Sequence, residues 1–322
     1  MAKKIPKIVK EIIRNRPEIN YAFKKHVSYS QMSIYKQCQH RWKLQYKDKI
    51  KKFNSSIHTV FGTAMHEVMQ QYLDVFYNQT KVAANKLDLP DLFQDYYINE
   101  YQKQYKSNSN THFSSPTEMR EFYNDGIEIL KEFKKRVGGF FSKRGTYLVG
   151  CEVPLDLPPI KTLNKVHYTG YLDIVLYNET VDEFQIIDIK TSTRGWNTKK
   201  VDDMKKYQLV LYKKYFSEQY NIPIEKINVS FLILKRKIYE DTEYIMRRMT
   251  EYSPASGRNT VAAASRTMND FVLEAFNQDG SIKENKYPKS VSKWNCTFCP
   301  YAVDENLCGQ GVHFLYWYIV LF

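Results

Sequence analysis

The sequence has 322 residues, 43% of them hydrophobic and 26% charged, which is enough for one sizeable core with or without a smaller appendage. No run of about 18 or more apolar residues occurs, which excludes a membrane-spanning helix. Forty-eight Lys and Arg against 35 Asp and Glu leave a net charge of +13, so a polyanionic partner is expected, and charge alone does not choose between nucleic acid and an anionic membrane. Met1-Ala2-Lys3-Lys4-Ile5-Pro6 carries charge but leads into no apolar stretch or cleavage site, so the expected location is a reducing cytoplasm.

Residues 1–27 are Lys-rich and lack a period, and read as a basic arm or a short helix. Ser30 can cap a helix whose Ile34, Cys38, Trp42 and Tyr46 recur at four-residue spacing. A second helix over 61–76 carries Phe61, Met65, Val68, Met69, Tyr72 and Leu73 on one face, with Gly62 near its start. A third is expected around 91–106, then a polar loop at 107–115, then an amphipathic helix over 116–137 ended by Gly138-Gly139. The period then becomes strand-like in 147–157 (YLVGCEVPLDL), 165–177 (KVHYTGYLDIVLY) and 183–190 (EFQIIDIK), which predict a meander. A helix over 204–216, a fourth strand over 227–235 (INVSFLILK) and a helix over 256–276 follow.

The strand IIDIK is the most informative segment. Residues two apart in a strand share a face, so Asp188 and Lys190 point one way while Ile187 and Ile189 enter the opposite core. Opposite charges on one face of an otherwise buried strand are hard to explain as packing. If the hairpin register sets Asp173 beside Asp188, two carboxylates converge where a hard divalent cation such as magnesium or manganese relieves their repulsion. Lys190 can then orient a water or neutralise developing charge on a phosphate.

Asp173 followed by Asp188-Ile189-Lys190 resembles the core motif of the PD-(D/E)xK nuclease superfamily. Phe61-Gly62-Thr63-Ala64-Met65-His66 is similar to the G-x-x-x-H motif of its RecB-like branch, which implies that His66 joins Asp173 and Asp188 around the metal. Gln208-Leu209-Val210-Leu211-Tyr212 is similar to the Q-x-x-x-Y motif, and Ser28-Tyr29-Ser30 with Tyr35, Cys38 and Tyr46 to the opening segment. Gln208 and Tyr212 lie one helical turn apart and share a face, suited to a DNA phosphate or to supporting the lysine. Glu152 on the first core strand is either a further acid near the metal or an edge salt-bridge residue. The family often has an acid four residues after the histidine; here it is Gln70, which puts a role for that position in doubt.

A C-x-x-C pair in a cytoplasmic chain suggests a metal centre, and Cys296-Thr297-Phe298-Cys299 followed by Cys308 fits iron–sulfur or zinc. Cys38, Cys296, Cys299 and Cys308 resemble the ligand set of a 4Fe-4S cluster in AddB-type and CRISPR-adaptation nucleases; a structural zinc site and unligated cysteines are the alternatives. The gap between Cys299 and Cys308 is longer than in many members. The resemblance implies an α/β, restriction-endonuclease-like fold with a mixed central sheet flanked by helices. Its expected parts are a basic arm (1–27), a helical region (28–140), a nuclease core (141–287), a Cys-rich segment (288–312) and a tail (313–322). The implied activity is a Mg2+- or Mn2+-dependent DNA exonuclease in replication, recombination or repair, with Asp173, Asp188, Lys190, Gln208 and Tyr212 at the active site. The alternative is a DNA-binding protein on that fold without independent cleavage. DNA is the expected partner, with a helicase or recombination protein on another chain and no membrane. A compact, basic, Tyr-rich chain also suits a phage protein working in its host's cytoplasm.

Overall fold

A computed structural model describes residues 5–22, 24–50, 52, 55–239 and 245–309. The expected tail, 313–322, lies outside the described residues, as do the first four residues of the basic arm. The chain begins with α1 (Lys7–Arg14), β1 (Lys25–Val27), α2 (Tyr29–Gln37) and α3 (Gln39–Trp42). Four helices follow: α4 (Ile57–Asn78), α5 (Lys81–Asn85), α6 (Leu89–Ser107) and α7 (Pro116–Phe141). Strands β2 (Thr146–Leu157), β3 (Val166–Asn178) and β4 (Glu183–Ser192) lead to α8 (Asp203–Tyr220), β5 (Ile227–Lys235) and β6 (Met249–Tyr252). Helices α9 (Arg258–Ala275) and α10 (Lys293–Thr297) close the described chain.

Two compact units emerge, one from residues 1–19, 55–156 and 170–261, the other from 20–54, 157–169 and 262–322. In the first, β3 pairs antiparallel with β4, β4 parallel with β5 and β5 antiparallel with β6, while β2 pairs with β3. This is the expected mixed sheet flanked by helices. The parallel pair requires a crossover, and α8 supplies it. Both faces of β4 are covered, which explains its near-continuous apolar run. Ile187 and Ile189 pack with Met65 and Met69 of α4 and Ile129 and Phe133 of α7. On the other face Phe184 meets Phe216 of α8 at 5.5 Å between ring centroids. Each such side chain contributes about 1.5–3 kcal/mol on burial. Helix α7 is tied to the end of β5 by a buried ion pair, Arg236 Nη1 to Asp125 Oδ2 at 3.0 Å, with the guanidinium over the Phe122 ring.

In the second unit β1 pairs in parallel with the start of β3, Lys25 opposite Val166. Its core is aromatic: Tyr35, Trp42, Phe271, Phe276 and Tyr287 are all buried and in ring contact.

Several helix limits differ from the sequence expectation. Ser28, not Ser30, caps α2, its side chain accepting the Gln31 N–H. The predicted stripe through Cys38 is not one continuous helix, because Cys38 takes extended backbone (φ −159°, ψ 108°) and separates α2 from α3. A π-helical turn over Lys43–Lys47 follows. Gly138-Gly139 do not end α7, which runs on to Phe141. Phe141 is 1% exposed and packs on Phe133, so burial of the last turn outweighs the propensity cost of two glycines.

Candidate active site

His66, Asp173, Asp188, Lys190, Gln208 and Tyr212 meet in the first unit beside the point where the β3–β4 ladder ends, midway along both strands. The β3–β4 ladder ends where Ile174 pairs with Ile187, so Asp173 and Asp188 are the next residue on each strand beyond the last pair. There the carboxylate interrupts the ladder: the Ile189 N–H donates to Asp173 Oδ2 at 2.7 Å. Both acids are buried, Asp188 almost completely at 1% exposure. Lys190 shares their face as strand alternation requires, its Nζ 2.7 Å from Asp188 Oδ2. That contact is the close neighbour of Oδ2, which accepts no well-aligned hydrogen bond. Gln208 from α8 donates through Nε2 to Asp188 Oδ1 at 2.9 Å and to the Tyr212 hydroxyl at 3.2 Å. Their four-residue spacing puts both side chains over the same end of the sheet.

His66 comes from α4, its Nδ1 3.5 Å from Asp173 Oδ2. The helix can lie close to β4 at Gly62, where an added Cβ would already touch Thr191 Oγ1 at 3.4 Å. Gln70, one turn further on, donates through Nε2 to Glu152 Oε1 at 2.7 Å and to the Asp173 carbonyl at 3.1 Å. An amide therefore stands between α4 and the acid-bearing strands, a role the sequence reading did not find. Glu152 is exposed and adopts a left-handed backbone, φ 50°, in the middle of β2. The chain is locally reshaped there, and Arg16 holds the preceding residues by donating from Nη2 to the Val149 carbonyl at 2.6 Å. Gly150 is what admits it, since a Cβ at that position would lie 2.0 Å from Arg16 Nη2. A glycine two residues before an acid inside a strand pattern was the available signal.

Burial sets the electrostatics. It pushes Asp173 up to about 7, against the pull of the Lys190 ammonium and the Ile189 N–H. Burial, then the facing Asp173 carboxylate, push Asp188 up to about 6. Burial lowers His66, keeping the imidazole neutral with a lone pair for ligation. It also opposes charge on Lys190, but the Asp188 and Asp173 carboxylates outweigh it and the pKa is raised, so the side chain stays an ammonium. Tyr212 is driven up by burial and by Asp188 and stays a phenol.

Among the described residues, no three His, Cys, Asp or Glu side chains as they lie form a ready-made metal cage. The chemistry of the donors nonetheless fits a hard divalent cation: two facing carboxylates, a neutral imidazole nearby and an Asp188 Oδ2 whose close partner is the Lys190 ammonium.

In the second unit, Cys38, Cys296, Cys299 and Cys308 all line one small cavity of about 20 Å³, together with His40 and Arg41. None is in a disulfide. The break between α2 and α3 puts Cys38 there, and the Ser290 N–H lies 3.5 Å from its sulfur. Burial raises the Cys299 thiol, with Cys38 and Cys308 adding to the rise. Cys151 lies apart, in the first unit.

A mixed sheet with paired acids and a lysine on adjacent strands defines a restriction-endonuclease-like protein. The sequence pattern of the PD-(D/E)XK nuclease superfamily matches residues 26–303, and the chain belongs to that superfamily, whose nucleases generally use divalent metals such as Mg2+. A solved structure described as "Crystal structure of SSO0001" is similar over 92% of this chain and 93% of that one, with a TM-score of 0.37 and 13% sequence identity. No curated protein matches. No described helix is long and apolar enough to cross a membrane.

Proposed function

We propose that the chain is a Mg2+- or Mn2+-dependent deoxyribonuclease of the RecB-like branch, acting as an exonuclease on DNA ends or single strands during replication, recombination or repair. The single observation that carries this reading is the meeting of Asp173, Asp188 and Lys190, with Lys190 Nζ 2.7 Å from Asp188. Asp173, Asp188 and His66 would hold the divalent cation, which supplies Lewis acidity at the phosphate. Gln208 occupies Asp188 Oδ1 and so leaves Oδ2 to Lys190 and the cation. The Lys190 ammonium stands where it can orient the attacking water and offset charge as the new P–O bond forms and the ester P–O bond breaks. Gln70 holds Glu152 beside the same site. Tyr212, kept neutral, supports Gln208.

The four cysteines of the second unit, whose side chains line one cavity, are assigned to a 4Fe-4S cluster on their resemblance to that ligand set, with zinc as the other metal the thiol set suits. A helicase or recombination protein would present the DNA, and a phage chain would do this in its host's cytoplasm. The test is digestion of end-labelled single- and double-stranded DNA by anaerobically purified protein with magnesium, manganese or chelator. Metal-dependent shortening that disappears in Asp188→Ala and Lys190→Ala is expected, and cleavage surviving in either variant overturns the assignment. Intact DNA binding without cleavage by the wild type would leave a DNA-binding protein on a nuclease fold.

A further inference from the structure

The connection from β4 to α8 carries charges that the fold does not use. Its acids are engaged: Asp202 caps α8 by accepting the Met204 N–H, and Asp203 pairs with Lys206 at 2.9 Å. Its exposed cations Arg194, Lys199 and Lys200 have no carboxylate within ion-pair distance among the described residues. The segment is nevertheless well placed. Main-chain pairing continues past the strands, with the Arg236 N–H donating to the Ser192 carbonyl at 2.9 Å and the Lys237 N–H to the Thr193 carbonyl at 2.7 Å. Gly195 (φ 89°) makes the turn, its N–H donating to Ser192 Oγ at 3.1 Å, and a Cβ there would lie 2.6 Å from Lys235 Cε.

Continued pairing brings Arg194 beside Tyr239, with the guanidinium 5.0 Å from the ring centroid. Arg194 is exposed and Tyr239 is 51% exposed, so two flat π surfaces stand in solvent. Trp196 anchors the turn on buried Phe231, 5.0 Å between centroids, and Lys205 Nζ lies 5.4 Å from the same indole. Arg194 follows Lys190 by four residues, at most about 14 Å of extended chain.

We infer that Arg194 and Tyr239 form a stacking platform for an unpaired base, and that Lys199 and Lys200 take phosphates of the same strand. The segment is thus a track for single-stranded DNA beside Lys190. The strand's destination rests on the nuclease reading; the chemistry of the track does not. An unpaired strand fits better than a duplex because base faces are hidden in a stacked helix and open to aromatic and guanidinium planes only when splayed.

Binding of labelled oligo-dT and of a blunt duplex is to be read by fluorescence anisotropy in chelator, so that no cleavage occurs. Arg194→Ala and Tyr239→Ala should each weaken oligo-dT binding roughly fivefold or more while leaving duplex binding within about twofold, and Tyr239→Trp should retain affinity. The Lys199→Gln/Lys200→Gln double variant should lower the slope of log K against log salt by about 1.4 for the single strand. The thermal midpoint of each variant checks that these surface changes leave the fold intact. Wild-type affinity in Tyr239→Ala overturns the inference. So do equal losses on oligo-dT and duplex, or binding to phosphatidylserine vesicles that falls in these variants while oligo-dT binding does not. Absence of cleavage by the wild type, with these binding results intact, would count against the nuclease assignment alone.

Discussion

Cation binding should be steeply coupled to pH, because the two acids facing one another do not titrate as ordinary carboxyls. Asp173 is pushed from 3.8 to about 7 and Asp188 from 3.8 to about 6, first by burial and, for Asp188, next by its partner's charge. A cation must displace whatever protons they hold. Lowering the pH from 8 to 5.5 leaves the first roughly 30-fold short of its ionised form and the second roughly fourfold short, about a 100-fold loss of affinity together; ordinary carboxyls would lose less than about twofold. Calorimetric titration of Mn2+ at several pH values, in two buffers of different ionisation enthalpy, measures both the affinity and the protons released. A flat affinity between pH 5.5 and 8 would refute the reasoning. The metal-free fold should respond in the opposite sense. Folded values above the unfolded ones mean that protonation favours the fold, so this pair's contribution is most favourable below about 3.8. It is lost as the pH rises through about 7, on the order of 7 kcal/mol if both shifts act in full. Denaturant titrations at pH 5 and 8 in chelator would show it, and Asp173→Asn should flatten the difference.

Gln208→Ala removes the hydrogen bond to Asp188 Oδ1 and should weaken Mn2+ binding roughly 10-fold at pH 7.5, measured by the same titration, with Tyr212→Phe close to wild type. Asp125→Ala strands the buried Arg236 guanidinium and should cost about 3–5 kcal/mol in urea unfolding, whereas a comparable change at the exposed Lys131–Glu128 pair should be barely measurable. Gly126→Ala drives a Cβ to 2.3 Å from the Phe93 ring and should lower stability by about 1–3 kcal/mol, seen as a lower thermal midpoint. Cys38→Ser should reduce the iron and sulfide content of anaerobically purified protein; content equal to wild type would remove Cys38 from the proposed ligand set.

Much of the site was legible because it follows local periods. Asp188 and Lys190 share a face through strand alternation, and Gln208 and Tyr212 through the helical turn, so these pairs could be read before any fold was known. Strand β5 has the limits the sequence predicts, 227–235, because its apolar run is bounded by the Pro223 turn and by charge. Other features were decided by partners distant in the chain. Gly138-Gly139 stay helical because Phe141 finds a buried seat. Strands β1 and β6, at three and four residues, are too short to carry a readable pattern and exist because β3 and β5 offer them edges.

By itself, then, the sequence determined the candidate site residues and which of them face the same way within one element. Only the tertiary structure decided that Asp173 and Asp188 meet just beyond the last pair of the β3–β4 ladder, that Gln70 joins Glu152 to β3, and that Cys38 shares a cavity with three cysteines more than 250 positions away. The physical reason is range. Backbone periodicity acts over a few residues, whereas register and convergence are set by side chains that burial brings together from remote parts of the chain.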